Sequence, residues 1–204
     1  MIPALCYVTD ADAPLSLPDQ AEAAARGGAS WIQLRHKTLP DDAFAALARE
    51  IAERIASHGA KLVVNDRVEI ARALGAPALH VGQGDGNIGA IRDRIGRDMI
   101  LGLSVQVVDQ IGAIPPGTVD YLGIGPVRAT ASKPDHAVPI GFEGLARIVS
   151  ATPLPCLAIG GLAAKDAGAV RRSGCAGMAV VSAISRAPDP ERAARAIFAQ
   201  WRKT

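Results

Sequence analysis

Residues 61–85 read KLVVNDRVEIARALGAPALHVGQGD, and they predict one complete strand-helix-strand unit. The apolar runs at 61–65 and 78–82 predict two buried strands, and the segment 67–74 between them predicts a helix. Both strands end in polar residues suited to chemistry. In a fold that alternates strands and helices, all strands run the same way, so their C-terminal ends gather on one rim. We therefore expect the functional residues on that rim.

The same unit recurs along the whole chain. Short runs rich in Val, Ile and Leu predict strands at 4–9, 30–35, 61–65, 78–82, 99–104, 119–125, 156–160 and 177–182. The segments between and after them predict helices at 18–26, 40–58, 67–74, 87–95, 106–113, 142–150, 163–173 and from Pro190 onward. Eight strands alternating with eight helices predict a single-domain (β/α)8 TIM barrel over residues 1–204. An open doubly wound sheet normally has fewer strands, and the first turn lacks its Gly-x-Gly-x-x-Gly fingerprint.

The composition indicates a core of small aliphatic residues and small-molecule partners. Hydrophobic residues make up 49% of the chain and aromatic residues only 3%, which suits helices packed on a buried parallel sheet. A net charge of +2 from mixed acidic and basic residues favours neither a nucleic-acid partner nor a membrane surface. The apolar start at 2–8 is too short for a secretory or spanning segment, so the expected compartment is the cytoplasm. The sequence carries no signal of an oligomeric state.

The cysteines and histidines give weak functional signals. The three cysteines, Cys6, Cys156 and Cys175, are odd in number and lack metal-ligand spacing, so we expect small buried apolar groups. Three of the four histidines are expected to be structural: His36, His58 and His80. The role of His136 stays open because it lies in the long loop at 126–141, and no Ser-His-acid set can be assembled.

The run QLRHK at 33–37 predicts an anion-binding corner. Strand alternation places Gln33 and Arg35 on the same side, with Gln33 facing the barrel interior and Lys37 following in the loop. A side-chain amide both donates and accepts, which suits a heteroaromatic ring with an amino group, and the two cations suit phosphate oxygens. The alternative is that Arg35 and Lys37 pair with surface carboxylates.

Two carboxylates, Asp66 and Asp85, follow neighbouring predicted strands and predict a metal site. Carboxylate oxygens with few competing thiolates or imidazoles favour Mg²⁺, which uses one or two carboxylates together with waters and substrate phosphates. The alternative is that each acid caps the helix after its strand.

The ends of the last two strands predict a separate phosphate site. Gly160 and Gly161 follow strand seven and Ser182 follows strand eight, where barrels commonly bind phosphate through backbone N–H groups. The alternative is that the glycines serve only a tight turn. Two anionic ligands on one rim are therefore expected.

Nine short motifs, in their order and spacing, resemble the thiamine phosphate synthase family. They are YVTD at 7–10, QLRHK at 33–37, VVND at 63–66, HVGQGD at 80–85, GLS at 102–104, GIGP at 123–126, TASK at 130–133, IGG at 159–161 and VVSAIS at 180–185. The resemblance implies a Mg²⁺-dependent barrel enzyme, a transferase that joins hydroxymethylpyrimidine diphosphate to a thiazole phosphate. Diphosphate departs first, and the thiazole nitrogen captures the resulting pyrimidine-methyl cation.

The resemblance also implies roles for individual residues. The pyrimidine diphosphate would be bound by Gln33, Arg35, Lys37, Asn65, Ser104 and Lys133, of which Arg35, Lys37, Ser104 and Lys133 would also be catalytic. Asp66 and Asp85 would hold the metal. The thiazole phosphate would be bound by Thr130, Ser132, Gly161, Val181 and Ser182.

The chain departs from the family pattern at a few positions. Arg128 and Ala129 stand where the family often has an aromatic residue and proline, and Ser132 replaces a threonine but keeps the hydroxyl. A histidine frequent after the family's fifth-strand serine is absent at 105–106. Two alternatives are a thiazole tautomerase-like paralogue and a non-catalytic barrel that binds a phosphorylated regulator. Asp66, Asp85 and Lys133 argue against both.

Overall fold

The structure is a computed structural model and describes residues 1–132 and 137–203. Within them, eight parallel strands form a closed barrel in sequence order. The strands are β1 (Leu5–Val8), β2 (Trp31–Leu34), β3 (Lys61–Asn65), β4 (Ala78–Val81), β5 (Ile100–Val105), β6 (Tyr121–Ile124), β7 (Cys156–Ala158) and β8 (Gly177–Val180). The helices are α1 (Leu17–Arg26), α2 (Asp41–Ala56), α3 (Val68–Leu74), α4 (Ile88–Ile95), α5 (Asp109–Gly112), α6 (Gly141–Ser150), α7 (Ala167–Arg172), α8 (Ser182–Ser185) and α9 (Pro190–Lys203), with a 3₁₀ turn at Ala164–Asp166. The predicted (β/α)8 TIM barrel is confirmed.

The barrel wall separates two hydrophobic clusters, because successive strand residues point to opposite sides. The inner cluster consists of Cys6, Val8, Trp31, Val63, Ala78, Tyr121, Leu157 and Ala179. Within it the rings of Trp31 and Tyr121 meet edge to face with centroids 5.2 Å apart. Such a ring pair contributes about 0.5–1.5 kcal/mol beyond the burial of its area. The larger outer cluster joins the strands to the helices.

The two helices with the clearest sequence signals form as predicted. α2 begins after Pro40, carries two acids in its first turn and buries Phe44, Ala48, Ile51 and Ile55. Asp189 accepts a hydrogen bond of 2.9 Å from the Arg192 N–H at the start of α9. Among the described residues, no helix has both the length and the apolar character needed to cross a membrane.

Several predicted elements differ in extent from those observed, and three of them differ for a reason visible in the structure. The helix predicted at 106–113 is reduced to α5, because Gln110 Oε1 accepts from the N–H groups of Gln106 and Val107 just ahead of it. The helix predicted at 163–173 is split into a 3₁₀ turn and α7, and the Asp166 carboxylate accepts from the Ala163 N–H at that start. The strand predicted at 177–182 ends at Val180, and Ser182 begins the short helix α8.

Candidate active site

Three side chains assigned to anion binding follow one another at the end of β2. Gln33 is buried and lies beside Val8 of the inner cluster, so it faces the interior as predicted. Arg35 is half-buried, and no carboxylate of the described residues pairs with its guanidinium. The Lys37 ammonium contacts the Asp66 carboxylate. A predicted anion-binding cation and a predicted metal ligand are therefore in direct contact.

Asp66 has an unusual backbone conformation for a residue with a side chain. Its φ of 55° lies in the left-handed region, and it is the one non-glycine residue with positive φ in the described part of the chain. The conformation is fixed from outside, because the Asp66 N–H donates to the His80 carbonyl of β4 across 2.9 Å. Strain of this kind costs about 1–3 kcal/mol and concentrates at functional sites.

Neither Asp66 nor Asp85 caps the helix that follows it. Asp85 Oδ2 accepts from the Gly82 N–H at 2.7 Å within its own turn, while Asn87 caps α4 by accepting from the Ala90 N–H at 3.0 Å. At α3 the N-cap position is Arg67, which makes no side-chain capping bond. The capping alternative is therefore wrong for both acids.

Four polar side chains lie beneath the rim, and we call them the floor of the rim: Asn65, His80, Ser104 and Tyr121. Asn65 Nδ2 donates to the His80 carbonyl at 3.2 Å, whereas its Oδ1 is buried and unpaired within the described residues. His80 Nδ1 lies 2.9 Å from Tyr121 Oη, and His80 Nε2 lies 2.9 Å from Ser104 Oγ. The unpaired Asn65 oxygen is an acceptor available to a ligand, since buried acceptors are normally paired.

Burial controls the ionisation of this floor. It lowers the pKa of His80 to about 4, against the smaller opposing effect of the Asp85 charge. It raises the pKa of Tyr121 well above its ordinary value. Both groups are therefore neutral near pH 7, and the structural role predicted for His80 becomes a role in organising polar groups.

The two residues that follow β1 have no role predicted from the sequence, and in the structure they contact the residues that follow β2 and β8. Thr9 Oγ1 accepts from the Arg35 N–H at 3.0 Å and donates to the Arg35 carbonyl at 3.3 Å. Asp10 is buried, and its Oδ2 accepts from the Ser185 hydroxyl at 2.8 Å and from Arg186 Nε at 3.3 Å. Sequence reasoning missed this role, since Ser185 is 175 positions away from Asp10.

The glycines after β7 serve a close packing contact as well as a turn. Gly160 and Gly161 have φ values of 100° and 63°. A Cβ on Gly161 would lie 2.6 Å from the Ala129 carbonyl oxygen and 2.8 Å from Arg128 Cβ. The loop after β6 thus lies directly against the loop after β7. Arg128 is fixed there by Asp166 at 2.9 Å and lies over the Phe142 ring at 5.3 Å.

The remaining predicted phosphate ligands lie in the loop after β6 and directly after β8. Ser132 N–H donates to Thr130 Oγ1 at 3.2 Å, so the two hydroxyl residues form one turn. Val181 is half-buried at the end of β8, and Ser182 is exposed at the first position of α8. Lys133 and His136 lie outside the described residues.

The donor set at the rim fits a hard divalent cation. In the described part of the chain no three His, Cys, Asp or Glu side chains cluster into a protein-only metal cage. The rim instead offers the carboxylates of Asp66 and Asp85, and Asp66 is held in a strained conformation. Mg²⁺ is typically bound by one or two carboxylates together with waters and substrate phosphates.

Comparison with known proteins gives a consistent result. The family model described as thiamine monophosphate synthase matches residues 5–184. A thiamine-phosphate synthase of Psychrobacter sp. (strain PRwf-1) is 42% identical over 201 residues, which is 96% of this chain and 94% of that protein. One from Roseiflexus sp. (strain RS-1) is 44% identical over 184 residues, which is 90% of this chain and 78% of that protein.

Solved structures agree with the sequence comparison. The thiamine phosphate pyrophosphorylase of Pyrococcus furiosus is similar with a TM-score of 0.88 and 29% identity, covering 98% of this chain and 95% of that one. A 3-hexulose-6-phosphate synthase is similar with a TM-score of 0.69 at 15% identity, covering 97% of this chain and 99% of that one, which shows the fold alone.

Proposed function

The chain belongs to the thiamine monophosphate synthase family, and we propose that its rim binds the two substrates of that reaction side by side. The protein is a transferase of thiamine biosynthesis that acts on small molecules. Neither alternative, a tautomerase-like paralogue or a regulatory barrel, is supported by the relatives compared. We also propose a cytoplasmic location, to which the three buried free thiols are suited.

The pyrimidine diphosphate occupies the side of the rim formed by β2 to β5. Gln33 and Asn65 face its aminopyrimidine ring, and the unpaired Asn65 Oδ1 accepts from the exocyclic amino group. Arg35 and Lys37 bind the diphosphate with charge-assisted hydrogen bonds, Ser104 donates to it, and Lys133 adds a third cation. The observation that carries this proposal is the buried Oδ1 of Asn65, an acceptor that none of the described residues pairs.

The thiazole phosphate occupies the opposite side, between the ends of β6, β7 and β8. Gly161 and Val181 offer backbone N–H groups to the phosphate oxygens. Hydroxyl groups complete the site: Thr130, Ser132 and Ser182.

Asp66 and Asp85 hold Mg²⁺, and their oxygen-only donor set supports this choice. When bound, the ion neutralises part of the negative charge that develops on the departing diphosphate. The protein's own cations do the same work at Arg35, Lys37 and Lys133, and loss of one such group costs about 10²-fold in rate.

Bond breaking precedes bond making in the proposed reaction. The C–O bond to diphosphate breaks, the electron pair leaves with the diphosphate, and the electron-rich aminopyrimidine ring stabilises the pyrimidine-methyl cation. The thiazole nitrogen then donates its lone pair to that carbon. No side-chain nucleophile is needed, which agrees with the lack of a Ser-His-acid set in the sequence.

The test is a reconstitution with defined components. Purified protein is incubated with MgCl₂, the pyrimidine diphosphate and the thiazole phosphate, and diphosphate and thiamine phosphate are quantified. We expect equimolar formation of both products, and none when either substrate is omitted. Complete absence of thiamine phosphate would overturn the enzyme assignment.

A further inference from the structure

A hydrogen-bonded chain of three side chains crosses the floor of the rim. It runs from Tyr121 on β6 to His80 on β4 and on to Ser104 on β5, with both heavy-atom distances at 2.9 Å. Tyr121 is 1% exposed and His80 is 9% exposed, whereas Ser104 is only partly buried and reaches the rim. These hydrogen bonds therefore link the buried barrel interior to Ser104, which the proposed function places against the diphosphate.

The direction of the hydrogen bonds follows from the Tyr121 hydroxyl. Within the described residues it has no hydrogen-bond partner other than His80 Nδ1. If Nδ1–H donated to Oη, the buried phenol proton would be left without an acceptor, which is unfavourable. The phenol therefore donates to Nδ1, the imidazole proton resides on Nε2, and Nε2–H donates to Ser104 Oγ. The Ser104 proton is then free to point at a ligand.

Two glycines in the strand interiors make room for these rings. A Cβ on Gly102 would overlap the Tyr121 ring, and a Cβ on Gly123 would lie 2.8 Å from His80 Cε1. Interior glycine weakens a strand, and it often marks the close approach of another group. The main chain at Ser104 is held as well, because Gln83 Nε2 donates to its carbonyl at 2.6 Å.

We propose that Tyr121 and His80 are positioning residues that fix the Ser104 hydroxyl as a hydrogen-bond donor to the departing diphosphate. This inference rests on the proposed function, and it adds two residues to which no role in the reaction has been given. A hydroxyl fixed as a donor interacts more strongly as negative charge grows on the leaving group. The predicted signature is therefore a loss of kcat rather than a rise in KM.

The kinetic test compares five single variants, one of them a control, and two double variants. Tyr121→Phe and His80→Leu each lower kcat by about 10-fold, the smaller end of the effect of partners that orient a functional group. His80→Gln restores most of the rate, because a Gln amide also presents an N–H to Ser104. In a Ser104→Ala background, Tyr121→Phe and His80→Leu have no further effect. Equal losses with and without Ser104 would overturn the proposal, and His58→Gln on the surface is the control.

A spectroscopic test separates this proposal from the function itself. The chain has four histidines, so a long-range ¹H–¹⁵N spectrum of uniformly labelled protein resolves each ring, and His80→Gln assigns the relevant signals. We expect His80 to show a protonated Nε2 and an unprotonated Nδ1. A protonated Nδ1 with a bare Nε2 would overturn the proposal even if the enzyme is active. Failure of thiamine phosphate formation by the wild-type protein would instead overturn the proposed function.

Discussion

The Ser185 hydroxyl donates a hydrogen bond of 2.8 Å to Oδ2 of Asp10, which joins the end of β1 to α8. β1 and β8 are the strands that close the barrel, so this contact fastens the closure at the rim. Both residues are buried.

Ser185→Ala should lower the free energy of unfolding by about 1.5–3 kcal/mol, because a buried carboxylate loses a donor. Urea denaturation checks this prediction. Ser150→Ala is the matched control: its exposed hydroxyl donates to the Arg147 carbonyl at 2.9 Å, and the loss should be below about 0.5 kcal/mol. Equal losses in the two variants would mean that the hydrogen bond to Asp10 stabilises the fold no more than the exposed hydrogen bond does.

Because the backbone at Asp66 is strained, substitutions of this residue should affect stability and activity to different degrees. Asn tolerates the left-handed region, so Asp66→Asn should lower the free energy of unfolding only through the lost ion pairs with Lys37 and Arg67, by about 0.2–1 kcal/mol. Asp66→Ala should lose about 1 kcal/mol more, since Ala pays the left-handed penalty. Both variants should lose activity by about 10–100-fold, as loss of a metal-site partner typically does. Denaturation and product formation measure the two effects, and an active Asp66→Asn enzyme would contradict the role in metal binding.

Gly161 should be less replaceable than its backbone angle alone implies. Gly75 has a similar φ of 58° with open space around its missing side chain, so Gly75→Ala should cost only about 1 kcal/mol. Gly161→Ala must also displace Ala129 or Arg128, which raises the expected loss to more than about 2 kcal/mol. The same change should raise KM for the thiazole phosphate. Thermal or urea unfolding compares the pair, and similar losses would show that the two loops separate easily.

The sequence predicted the barrel because alternation and strand spacing report directly on burial. The interior position of Gln33 followed from period-two alternation, and the rim followed from the common strand direction. α5 was overestimated, because the apolar pattern at 106–113 does not show that Gln110 binds the preceding N–H groups. The extent of an element depends on such local competition more than on propensity.

The chemistry of the site was harder to predict than its location. Asn87 and Asp85 are both good helix caps two positions apart, and the sequence alone does not decide between them. The left-handed φ of Asp66 depends on a hydrogen bond to His80 from the neighbouring strand. The contact between Asp10 and Ser185 depends on closure of the barrel. Properties that depend on two distant segments become visible only in the folded structure.

Asp85→Asn should raise the Mg²⁺ concentration needed for half-maximal activity by about 10-fold or more, because a neutral amide replaces a ligand charge. Its turn should persist, since an Asn oxygen still accepts from the Gly82 N–H. Asn87→Ala is the matched control: it removes the α4 cap, lowers stability by about 1 kcal/mol and leaves the Mg²⁺ dependence unchanged. Titration of activity with MgCl₂ measures the first effect and urea denaturation the second. Equal Mg²⁺ dependence in wild-type and Asp85→Asn proteins would argue against Asp85 as a ligand.

The buried imidazole of His80 should make the fold sensitive to mild acid. Its pKa of about 4 in the folded protein lies below the ordinary value of 6.5, so only the unfolded chain binds a proton between these values. The contribution of neutral His80 to the free energy of unfolding is therefore fully present above the pKa of His80 in the unfolded chain. It declines as the pH falls towards about 4. Between about pH 7 and about pH 5, protonation of His80 in the unfolded chain should lower the free energy of unfolding by about 2 kcal/mol.

His80→Gln should remove that part of the pH dependence, because the amide does not titrate. The measurement is the free energy of unfolding by urea at several pH values in the presence of EDTA, for the wild-type and variant proteins. The free energy of unfolding of the wild type minus that of the variant should fall by about 2 kcal/mol between about pH 7 and about pH 5, since acid costs the wild type a stability that the variant never loses. His58→Gln serves as the exposed control. Parallel pH profiles for wild-type and His80→Gln proteins would show that the folded state accepts the proton without penalty.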